Sequence, residues 1–395
     1  MDWDSLFADG VDVPPPPEPF DVKQLPAHGG VWLLADERGR PIQLGGCESL
    51  RRTVSFRLSN PPEEEKRRAR ADVRVITRRI WWWPTYSQFE TAYDYHRIAR
   101  QLYPDDYADR LAFKAVWFVR VDPAARIPRL TPTQKVFASH ATYIGPFTSR
   151  ANCTRYIELI TELFDLCRSP EVLEQAPHGR RCAYYDMGKC PAPCDGSAPL
   201  ERYRDLVSSA VDFVRTGPEA YIAQAEREMK RAARAQEFEL AAAAKRRIEQ
   251  ARDARAGSRR FVTVADRFDW LIVQRGPGRT RVKPFYVRGG WIDRGETVEL
   301  KKLDDHVNAW REAFGQPSPS ALGDDVQQRA EHVWLVSHFL FRSEKLPGLF
   351  LWASALPDSE ALCEQVRDGF APRSPKRDAP PQAEPSQIEA DGESR

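Results

Sequence analysis

Four of the seven cysteines lie between residues 167 and 194, and this cluster constrains the fold more than any other feature of the sequence. Cys167, Cys182, Cys190 and Cys194 are separated by 14, 7 and 3 residues. The first and the third of the three residues between Cys190 and Cys194 are prolines. Four thiolates brought together by a helix and a loop can hold zinc or an iron–sulfur cluster, since both accept four sulfur ligands. Spacing alone does not choose between these groups, and four unrelated free thiols are the alternative to both.

The composition describes a globular protein without a strong net charge. Of its 395 residues, 42% are apolar, and 59 Lys and Arg stand against 57 Asp and Glu. Any basic surface must therefore come from local segregation of charge. The first residues are acidic, where a signal peptide would be basic, and no apolar run reaches about 18 residues. We expect a soluble, cytoplasmic protein whose thiols stay reduced.

The N-terminal part reads as a short lead-in followed by a small α+β domain. Residues 1–21 contain four consecutive prolines, which favour an extended segment outside the core. Strands at 30–34 and 41–45 flank a Gly-containing loop and predict a hairpin, with a short helix at 47–55. Further strands within 73–83 and 112–121 enclose a helix over 87–103. The domain is expected to span residues 22–148.

The remaining chain divides into four predicted segments. A helix over 152–166 leads into the cysteine segment, residues 149–199. Residues 200–256 form a helical region broken at Gly217-Pro218, which includes an antiparallel hairpin with small apolar faces for a partner helix. Residues 257–370 return to a β-rich pattern. Residues 371–395 combine proline and charge without aromatic residues, so we expect a disordered tail.

Several tracts occur in the order found in one protein family. They are YIGPF at 143–147, CAYY with KCPAPC within 182–194, EFELAA with Ile248 in the helical region, and FYVRGG at 285–290. Together they resemble the UvrC family of repair excinucleases from about residue 22 to residue 355. The combination is far more specific than any single tract.

The resemblance implies an α+β multidomain architecture. It consists of a small GIY-YIG-like domain, a cysteine-rich helical segment, a UVR helical hairpin and a β-rich C-terminal region. In the family, the cysteine segment carries a 4Fe-4S cluster, which the resemblance assigns to Cys167, Cys182, Cys190 and Cys194 in preference to zinc. The hairpin pairs with UvrB, which assigns a UvrB-type partner to Phe238, Ala241, Ala242, Lys245 and Ile248. Gln236, Lys245 and Arg246 replace the family's usual leucine, arginine and aspartate.

The resemblance also places a nuclease site, and its residues are replaced. A GIY-YIG nuclease uses two tyrosines, a lysine, an arginine and a glutamate that holds a divalent metal. Those five positions correspond to Trp32, Gln43, Gly46, Thr53 and Tyr95. Tryptophan has no ionisable hydroxyl, threonine no positive charge, and tyrosine is a poor magnesium ligand. We expect metal-assisted cleavage to fail, unless a shift in register makes Arg52 the charge stabiliser or Glu90 the metal ligand.

Two local features suit nucleic acid and also have plain structural interpretations. Trp81, Trp82 and Trp83 could stack on bases, although packing on alternate sides of a strand is the better interpretation. Arginines and lysines make the first domain locally basic, which suits phosphate contact. For Lys66, Arg67 and Arg68, a solvated helix of mixed charge is almost as good an explanation. The predicted DNA-binding residues are Arg51, Arg52, Lys66, Arg67 and Arg68.

These expectations combine into one preferred function and two alternatives. The chain ends before the place where UvrC proteins carry an RNase H-like nuclease domain and a helix-hairpin-helix pair, so both incision activities are expected to be missing. The preferred function is a UvrC-like repair protein that binds DNA and a UvrB-type partner without cutting. The alternatives are an excision endonuclease with a rearranged site and a divalent metal, and an iron–sulfur regulatory scaffold that does not act on DNA.

Overall fold

The protein contains helices together with three antiparallel sheets. The structure is a computed structural model that describes residues 3–59, 73–278, 280–315, 325–342 and 347–370. Every strand pairing in it is antiparallel, which agrees with the predicted α+β class. Among the described residues, no helix combines the length and the apolarity needed to cross a lipid bilayer. The tail predicted at 371–395 lies outside the described residues.

The first sheet has four strands and is covered by two helices. Its strand order is β1-β4-β2-β3. The elements are β1 (Asp9–Asp12), β2 (Gly29–Ala35), β3 (Pro41–Cys47), α1 (Leu50–Leu58), β4 (Arg79–Thr85) and α2 (Gln88–Leu102). The β2–β3 hairpin is confirmed, and its turn is closed by Asp36, whose carboxylate accepts the N–H groups of Arg38 and Arg40. Gly39 occupies the left-handed region at φ +71°, which glycine adopts without steric cost.

The N-terminal segment corrects one prediction. Its first half does join the core: β1 pairs with β4, and Leu6, Phe7 and Val13 are buried. The strand precedes the prolines, so its N–H groups are free to pair with the edge of β4. The prediction that residues 1–21 stay outside the core is therefore wrong for residues 6–13.

The three tryptophans of β4 pack on alternate sides of the sheet, as predicted. Trp82 is buried beneath α1 with Trp32, while Trp81 and Trp83 pack with Ile98 on the opposite side. Alternation follows from the two-residue period of a strand. These rings contribute to two hydrophobic cores.

Element boundaries differ from the sequence pattern at three places. The helix predicted from residue 47 begins at Leu50, because the hydroxyl of Ser49 caps it by accepting from the N–H of Arg52. Residues 73–76 form a turn, in which Thr77 donates its N–H and hydroxyl to the carbonyl of Val73, so β4 starts later than predicted. Residues 112–116 are irregular, and the next strand begins at Trp117.

The second sheet brings together distant parts of the chain. Its order is β6-β5-β7-β8, from β5 (Trp117–Val121), β6 (Thr131–Thr133), β7 (Thr142–Phe147) and β8 (Thr263–Val264). The helices nearby are α3 (Tyr107–Arg110), α4 (Arg150–Leu163), α5 (Pro170–Leu173), α6 (Ala183–Asp186) and α7 (Leu200–Thr216). Val119, Phe147, Tyr156 and Val207 share one core. That core continues across residue 148, where the sequence pattern places a domain limit.

Two further helices follow α7. They are α8 (Glu219–Arg234) and α9 (Phe238–Asp253). Gly217, at φ +99°, ends α7, and Gln236, at φ +61°, lies in the turn between α8 and α9. An ion pair at 3.5 Å between Arg252 and Glu226 joins the end of α9 to the first half of α8, so the two helices run antiparallel.

The C-terminal region is a sheet with helices around it. Its order is β11-β10-β9-β13, with β12 paired to β10. The elements are β9 (Trp270–Arg275), β10 (Arg281–Arg288), β11 (Trp291–Arg294), β12 (Val298–Glu299), α10 (Leu303–Gly315), α11 (Val326–Leu340), β13 (Leu349–Trp352) and α12 (Ser359–Gly369). Phe285 and Ile272 of this sheet share a core with Phe89 of α2. The C-terminal sheet and α2 are therefore packed against each other.

Buried charges on α2 reinforce that packing. Glu90 is fully buried; it accepts from the N–H of Tyr86 at 2.8 Å and forms an ion pair with Lys283 of β10. Asp94 is also fully buried and accepts from Arg294 of β11 at 3.0 Å. Burial raises the pKa of both carboxyl groups, and the facing cations oppose that rise.

A second buried cluster joins α2 to α11 around Glu331. The carboxylate of Glu331 accepts from His96 at 2.7 Å, from the hydroxyl of Tyr107 at 2.7 Å and from Arg100 at 3.2 Å. Although burial raises its pKa, these hydrogen bonds hold the pKa of Glu331 below its usual value. The adjacent His332 accepts from the N–H of Ile292, and burial lowers its pKa well below that of free histidine. His332 is therefore neutral in the folded protein.

Replacing Lys283 tests how strongly the structure depends on the contact between α2 and β10. We expect Lys283→Met to lower the free energy of unfolding by about 3–5 kcal/mol, because it leaves Glu90 buried without its cation. Arg215→Met removes an exposed ion pair with Asp212 and is the control, with a loss below about 1 kcal/mol. Urea unfolding measures both. Equal losses would show that Glu90 does not need Lys283.

Candidate functional site

The four clustered cysteines lie where α4 meets the loop that leads to α7. Cys167 follows the end of α4, Cys182 precedes α6, and Cys190 and Cys194 flank the proline-rich turn. Cys190 and Cys194 are buried, whereas Cys167 and Cys182 are partly exposed. All four are free thiols. The structure therefore places the four predicted ligands in one segment and leaves each sulfur atom available.

Cys167 and Cys190 are in direct contact. The thiol of Cys167 hydrogen-bonds to the sulfur of Cys190, which lowers the pKa of Cys190 to about 6, and the N–H of Ala192 and the charge of Arg168 lower it further against the effect of burial. The same contact, together with burial, raises the pKa of Cys167. Ala192 has φ +52°, a left-handed conformation that is uncommon for alanine. Cys190 is thus the more acidic thiol of the pair.

The other two cysteines interact with this pair over a longer range. Burial raises the pKa of Cys194, and the charges of Cys190 and Cys182 add to the rise. Within the described part of the chain, no three His, Cys, Asp or Glu side chains come close enough to hold a metal ion. The donor set consists of thiols, which suits zinc or an iron–sulfur cluster in its chemistry. Among the four cysteines of the described structure, Cys167 and Cys190 are the pair in direct contact.

The backbone around the cysteines is fixed independently of any metal. The N–H of Gly179 donates to the carbonyl of Cys194 at 2.7 Å, and Arg168 donates to the carbonyl of Lys189 at 3.0 Å. Ala192 and Cys194 belong to the core that α4 and α7 build. The loop that carries Cys190 and Cys194 is therefore held by packing and backbone hydrogen bonds.

The positions that correspond to the nuclease site are used for packing. Trp32 is buried and lies against Gly45, where any side chain would collide with its ring. Gln43 accepts from Arg57 at 2.5 Å, and Thr53 forms a hydrogen bond with Cys47. None of these three contacts provides a general base, a free cation or a metal ligand.

The remaining two positions line a cavity. Gly46 and Tyr95 line a space of about 450 Å³ that is also lined by Phe339, at the end of α11, and by Arg342, which follows that helix. Burial raises the pKa of Tyr95, so its hydroxyl stays protonated at neutral pH. A nuclease would carry its metal-binding glutamate at this position, and a protonated phenol does not supply that ligand.

The two residues that a shifted register would recruit lie in different environments. Arg52 is exposed on α1. Glu90 is fully buried, and its two carboxylate oxygens bind Lys283 and the N–H of Tyr86. A carboxylate engaged in this way cannot also coordinate a metal ion without breaking the contact between α2 and β10. The Glu90 alternative therefore conflicts with the fold.

The predicted DNA-binding residues fall into two groups. Arg51 donates to the carbonyl oxygens of Leu25 and Lys23, so its guanidinium ties α1 to the segment before β2. Arg51 is exposed and these two contacts use only two of its five N–H groups, so its assignment as a phosphate ligand stays a prediction. Arg52 remains exposed. Lys66, Arg67 and Arg68 lie outside the described residues.

The predicted partner-binding residues of α9 include both exposed and buried side chains. Phe238 is 72% exposed, and Ala242 and Lys245 are exposed as well, with Ala241 half-buried. Ile248 is buried, so its assignment to the partner surface is wrong. The helical period places Ile248 on the inner face of α9, where α8 and α4 cover it.

One surface residue and one buried cluster were missed at the sequence level. Leu240, two residues after Phe238, is 59% exposed. Its position at the start of α9 was the sequence signal that could have identified it as a surface residue. Glu331 and His332 directly precede the apolar tract 333–336 of α11, and both are buried. Their partners on α2 could not be read from the sequence, because more than two hundred residues intervene.

Comparisons with known proteins give a family match over the cysteine segment and relatives that are similar over most of the chain. The family described as the UvrC/Cho excinuclease middle domain matches residues 116–213, which include all four clustered cysteines. Its first residue lies one position before β5, so the match follows the second sheet and α7. No solved structure matches the chain.

Several curated relatives are similar over a longer range. The UvrABC system protein C of Syntrophomonas wolfei is 25% identical over 301 residues, 74% of this chain and 48% of that protein. The protein of the same name from Acetivibrio thermocellus is 25% identical over 286 residues, 72% and 45%. That of Kocuria rhizophila is 26% identical over 356 residues, 85% and 51%. The chain thus spans about half the length of the curated relatives it matches.

The family match and the relatives agree on one assignment. The match covers the cysteine segment and the sheet before it, and the relatives extend the similarity into regions on both sides. This chain is therefore similar to UvrC proteins over most of its length, and its residues 116–213 match the middle domain of the UvrC/Cho excinucleases.

Proposed function

We propose that this protein acts in nucleotide excision repair, binding DNA and a UvrB-type partner without GIY-YIG nuclease chemistry. The observation that carries the proposal is the contrast between two sites. The cysteine segment matches the family and keeps four free thiols, whereas the five nuclease positions hold Trp32, Gln43, Gly46, Thr53 and Tyr95. Incision needs catalytic side chains that these five positions do not supply, whereas four thiols are the donor set of a zinc or iron–sulfur site.

Loss of incision is supported by what the replaced side chains do. Trp32 is a core residue, and Gln43 is the hydrogen-bond partner of Arg57. Phosphodiester hydrolysis needs an activated water, a cation for the developing charge and usually a metal ion. The described residues of the cleft hold Glu48 as the one carboxylate, and Glu48 accepts from Gln88 at 2.6 Å.

The proposed cofactor is a 4Fe-4S cluster held by Cys167, Cys182, Cys190 and Cys194. A thiolate at Cys190 and a contacting thiol at Cys167 supply two ligands of the kind a cluster needs, with the N–H of Ala192 directed at the sulfur of Cys190. Such a cluster, when bound, supplies iron–thiolate bonds that link α4 to the following loop and a one-electron couple. Zinc is the alternative occupant.

Cluster content can be measured directly. We expect anaerobically purified protein to contain about four iron and four sulfide per chain, the composition of a 4Fe-4S centre. Cys190→Ala should lose most of both, because it removes the thiolate at the centre of the segment. Cys47→Ala, which changes a half-buried thiol on β3, should retain them. If the protein instead contained stoichiometric zinc and no sulfide, the site would be assigned as a zinc site.

DNA binding without cleavage is the second expectation. We expect nicked, bubble or damaged duplex to bind at low salt, with an affinity that falls steeply as salt rises, since phosphate contacts release counterions. No nicking should occur with magnesium or manganese. The Arg52→Ala variant should bind DNA somewhat more weakly, because an exposed cation on α1 is lost.

Two results of that assay would count against the proposal. Cleavage that disappears in Arg52→Ala would identify a working nuclease with a rearranged site. Absence of any DNA binding at low salt, with the cluster present, would favour an iron–sulfur scaffold that does not act on DNA.

The exposed start of α9 is the proposed contact for the UvrB-type partner. Phe238 and Leu240 are 72% and 59% exposed, and Ala242 and Lys245 lie on the same helix. Large apolar side chains at a protein surface are typical anchors for a partner helix. Ile248, which is buried, takes no part in this surface.

Removing the two apolar anchors tests this surface. We expect the Phe238→Ser, Leu240→Ser double variant to bind a purified UvrB-type protein at least about tenfold more weakly, as for hot-spot residues. Folding should be unaffected, since both side chains are largely exposed. Phe56→Ser, at a phenylalanine of α1 that is 64% exposed, is the matched control. Equal affinity of the two variants in calorimetry would exclude the start of α9 as the contact.

A further inference from the structure

A cavity of about 640 Å³ lies between the first sheet and the C-terminal sheet, next to the replaced nuclease site. His28, Tyr86 and Gln88 line it on one side, and Gln274, Phe339 and Phe350 line it on the other. It shares Cys47, Glu48, Gln88, Thr91 and Phe339 with the smaller cavity at Gly46 and Tyr95. Its volume is that of a pocket for a molecule of cofactor or nucleotide size.

Gln274 is the residue that distinguishes this cavity from a packing defect. Its side chain is 1% exposed, and the amide nitrogen Nε2 has no hydrogen-bond partner. Buried side-chain amides nearly always find partners, because leaving one unpaired costs free energy. The rest of β9, from Trp270 to Val273, is apolar and buried. A buried polar side chain that follows this apolar run and lines a cavity points to a ligand.

The register of the sheet fixes the direction in which Gln274 faces. Gln274 lies opposite Lys283 on β10, and Lys283 reaches Glu90 of α2. Ile272, two residues earlier on the same side of β9, packs with Phe89. Gln274 therefore faces α2 and the start of the first domain, where the cavity is.

The walls of the cavity are flat and aromatic. The rings of Phe339 and Phe350 are inclined by 14°, and Phe89 meets each of them edge-on with centroids 5.2 and 5.7 Å away. On the other side, the rings of His28 and Tyr86 lie 5.2 Å apart. Aromatic surfaces of this kind bind flat π-systems, and nucleobases are the common biological ones that also hydrogen-bond at their edges.

We propose that this cavity is a nucleobase-binding pocket in which the amide of Gln274 hydrogen-bonds the edge of the base. Glutamine suits this role, because its amide both donates and accepts and can pair with a base edge in two hydrogen bonds. Arg275, at the exposed end of β9, lines the same cavity and contributes a positive charge to it, as a nucleotide phosphate requires, while its guanidinium also donates to the carbonyl of Phe370. The base belongs either to a free nucleotide or to an unpaired position in a nucleic acid strand.

The pocket proposal goes beyond the proposed DNA binding and does not depend on that binding. Free nucleotides test the pocket in the absence of DNA. The probes are AMP, GMP, CMP and TMP, a single-stranded DNA 12-mer, and a 12-mer of the same length with abasic sites. The protein is the full chain. Calorimetry measures the dissociation constant of each probe for the parent, for Gln274→Met, and for Gln101→Met, a control at an exposed glutamine of α2.

Binding of a free nucleotide, weakened about tenfold or more by Gln274→Met and unchanged by Gln101→Met, would support the pocket and identify free nucleotides as its source. Binding of the 12-mer alone, lost with the abasic 12-mer and weakened by Gln274→Met, would support the pocket with a strand as its source. Absence of base-dependent binding, or equal affinity of parent and Gln274→Met, would overturn the proposal.

Thermal unfolding gives a second readout. Methionine has nearly the length of glutamine and no polar group, and Nε2 of Gln274 has no partner to lose. The unfolding temperature of Gln274→Met should therefore match or exceed that of the parent. A marked fall in that temperature would show that the amide serves the fold, and the pocket assignment would fail. Duplex binding is measured separately, so a failure of the repair proposal remains distinguishable.

Discussion

The buried charges of α2 hold the first sheet against the C-terminal sheet, and the arrangement of both cavities depends on that contact. Glu90 and Asp94 are fully buried and meet Lys283 and Arg294, which neighbouring strands of the C-terminal sheet supply. Removing charges from water is expensive, and their attraction offsets that cost only when the geometry is good. Such pairs therefore fix one register between α2 and the sheet more effectively than they add stability.

This contact also determines what surrounds the positions that the sequence resemblance assigns to a nuclease site. With α2 fixed against the C-terminal sheet, the end of α11 lies over the cleft at Gly46 and Tyr95. A nuclease needs that cleft open to a DNA backbone and lined with groups that activate water. Trp32 fills the sheet face beneath α1 and the side-chain oxygen of Gln43 accepts from Arg57, so one of these side chains serves the core and the other a hydrogen bond between β3 and α1.

Local elements could be predicted from the sequence, because their signals are local. Ser87 followed by Glu90 has the spacing of a capping box, and the hydroxyl of Ser87 does accept from the N–H of Glu90 at 3.1 Å. The side chain of Glu90, however, binds Lys283, which is 193 residues away. No periodicity encodes such a contact. The same limit applies to Ile248, whose inward direction depends on which face of α9 the neighbouring helices cover.

The boundaries that sequence patterns missed have a similar cause. β-branched residues at 73–76 suit a strand, yet Thr77 closes a turn there by bonding to the carbonyl of Val73. The limit expected at residue 148 follows the end of a strand pattern, whereas Phe147 and Tyr156 on either side of it pack in one core with ring centroids 5.0 Å apart. Tertiary packing decides both cases, since propensity ranks local conformations and carries no information about which surfaces meet.

The cysteine segment combines local and distant constraints in a way that bears on its chemistry. Cys194 and Ala192 are anchored in the core of α4 and α7, and Tyr203 of α7 is buried beside Cys167. Cys182, by contrast, precedes a four-residue helix whose Tyr184, Tyr185 and Met187 are exposed. The fold therefore positions Cys167, Cys190 and Cys194 through its own packing, whereas the segment that carries Cys182 makes few such contacts. Among the described residues, no three His, Cys, Asp or Glu side chains come close enough to hold a metal ion, so this packing brings Cys167 and Cys190 into contact without assembling a four-sulfur site.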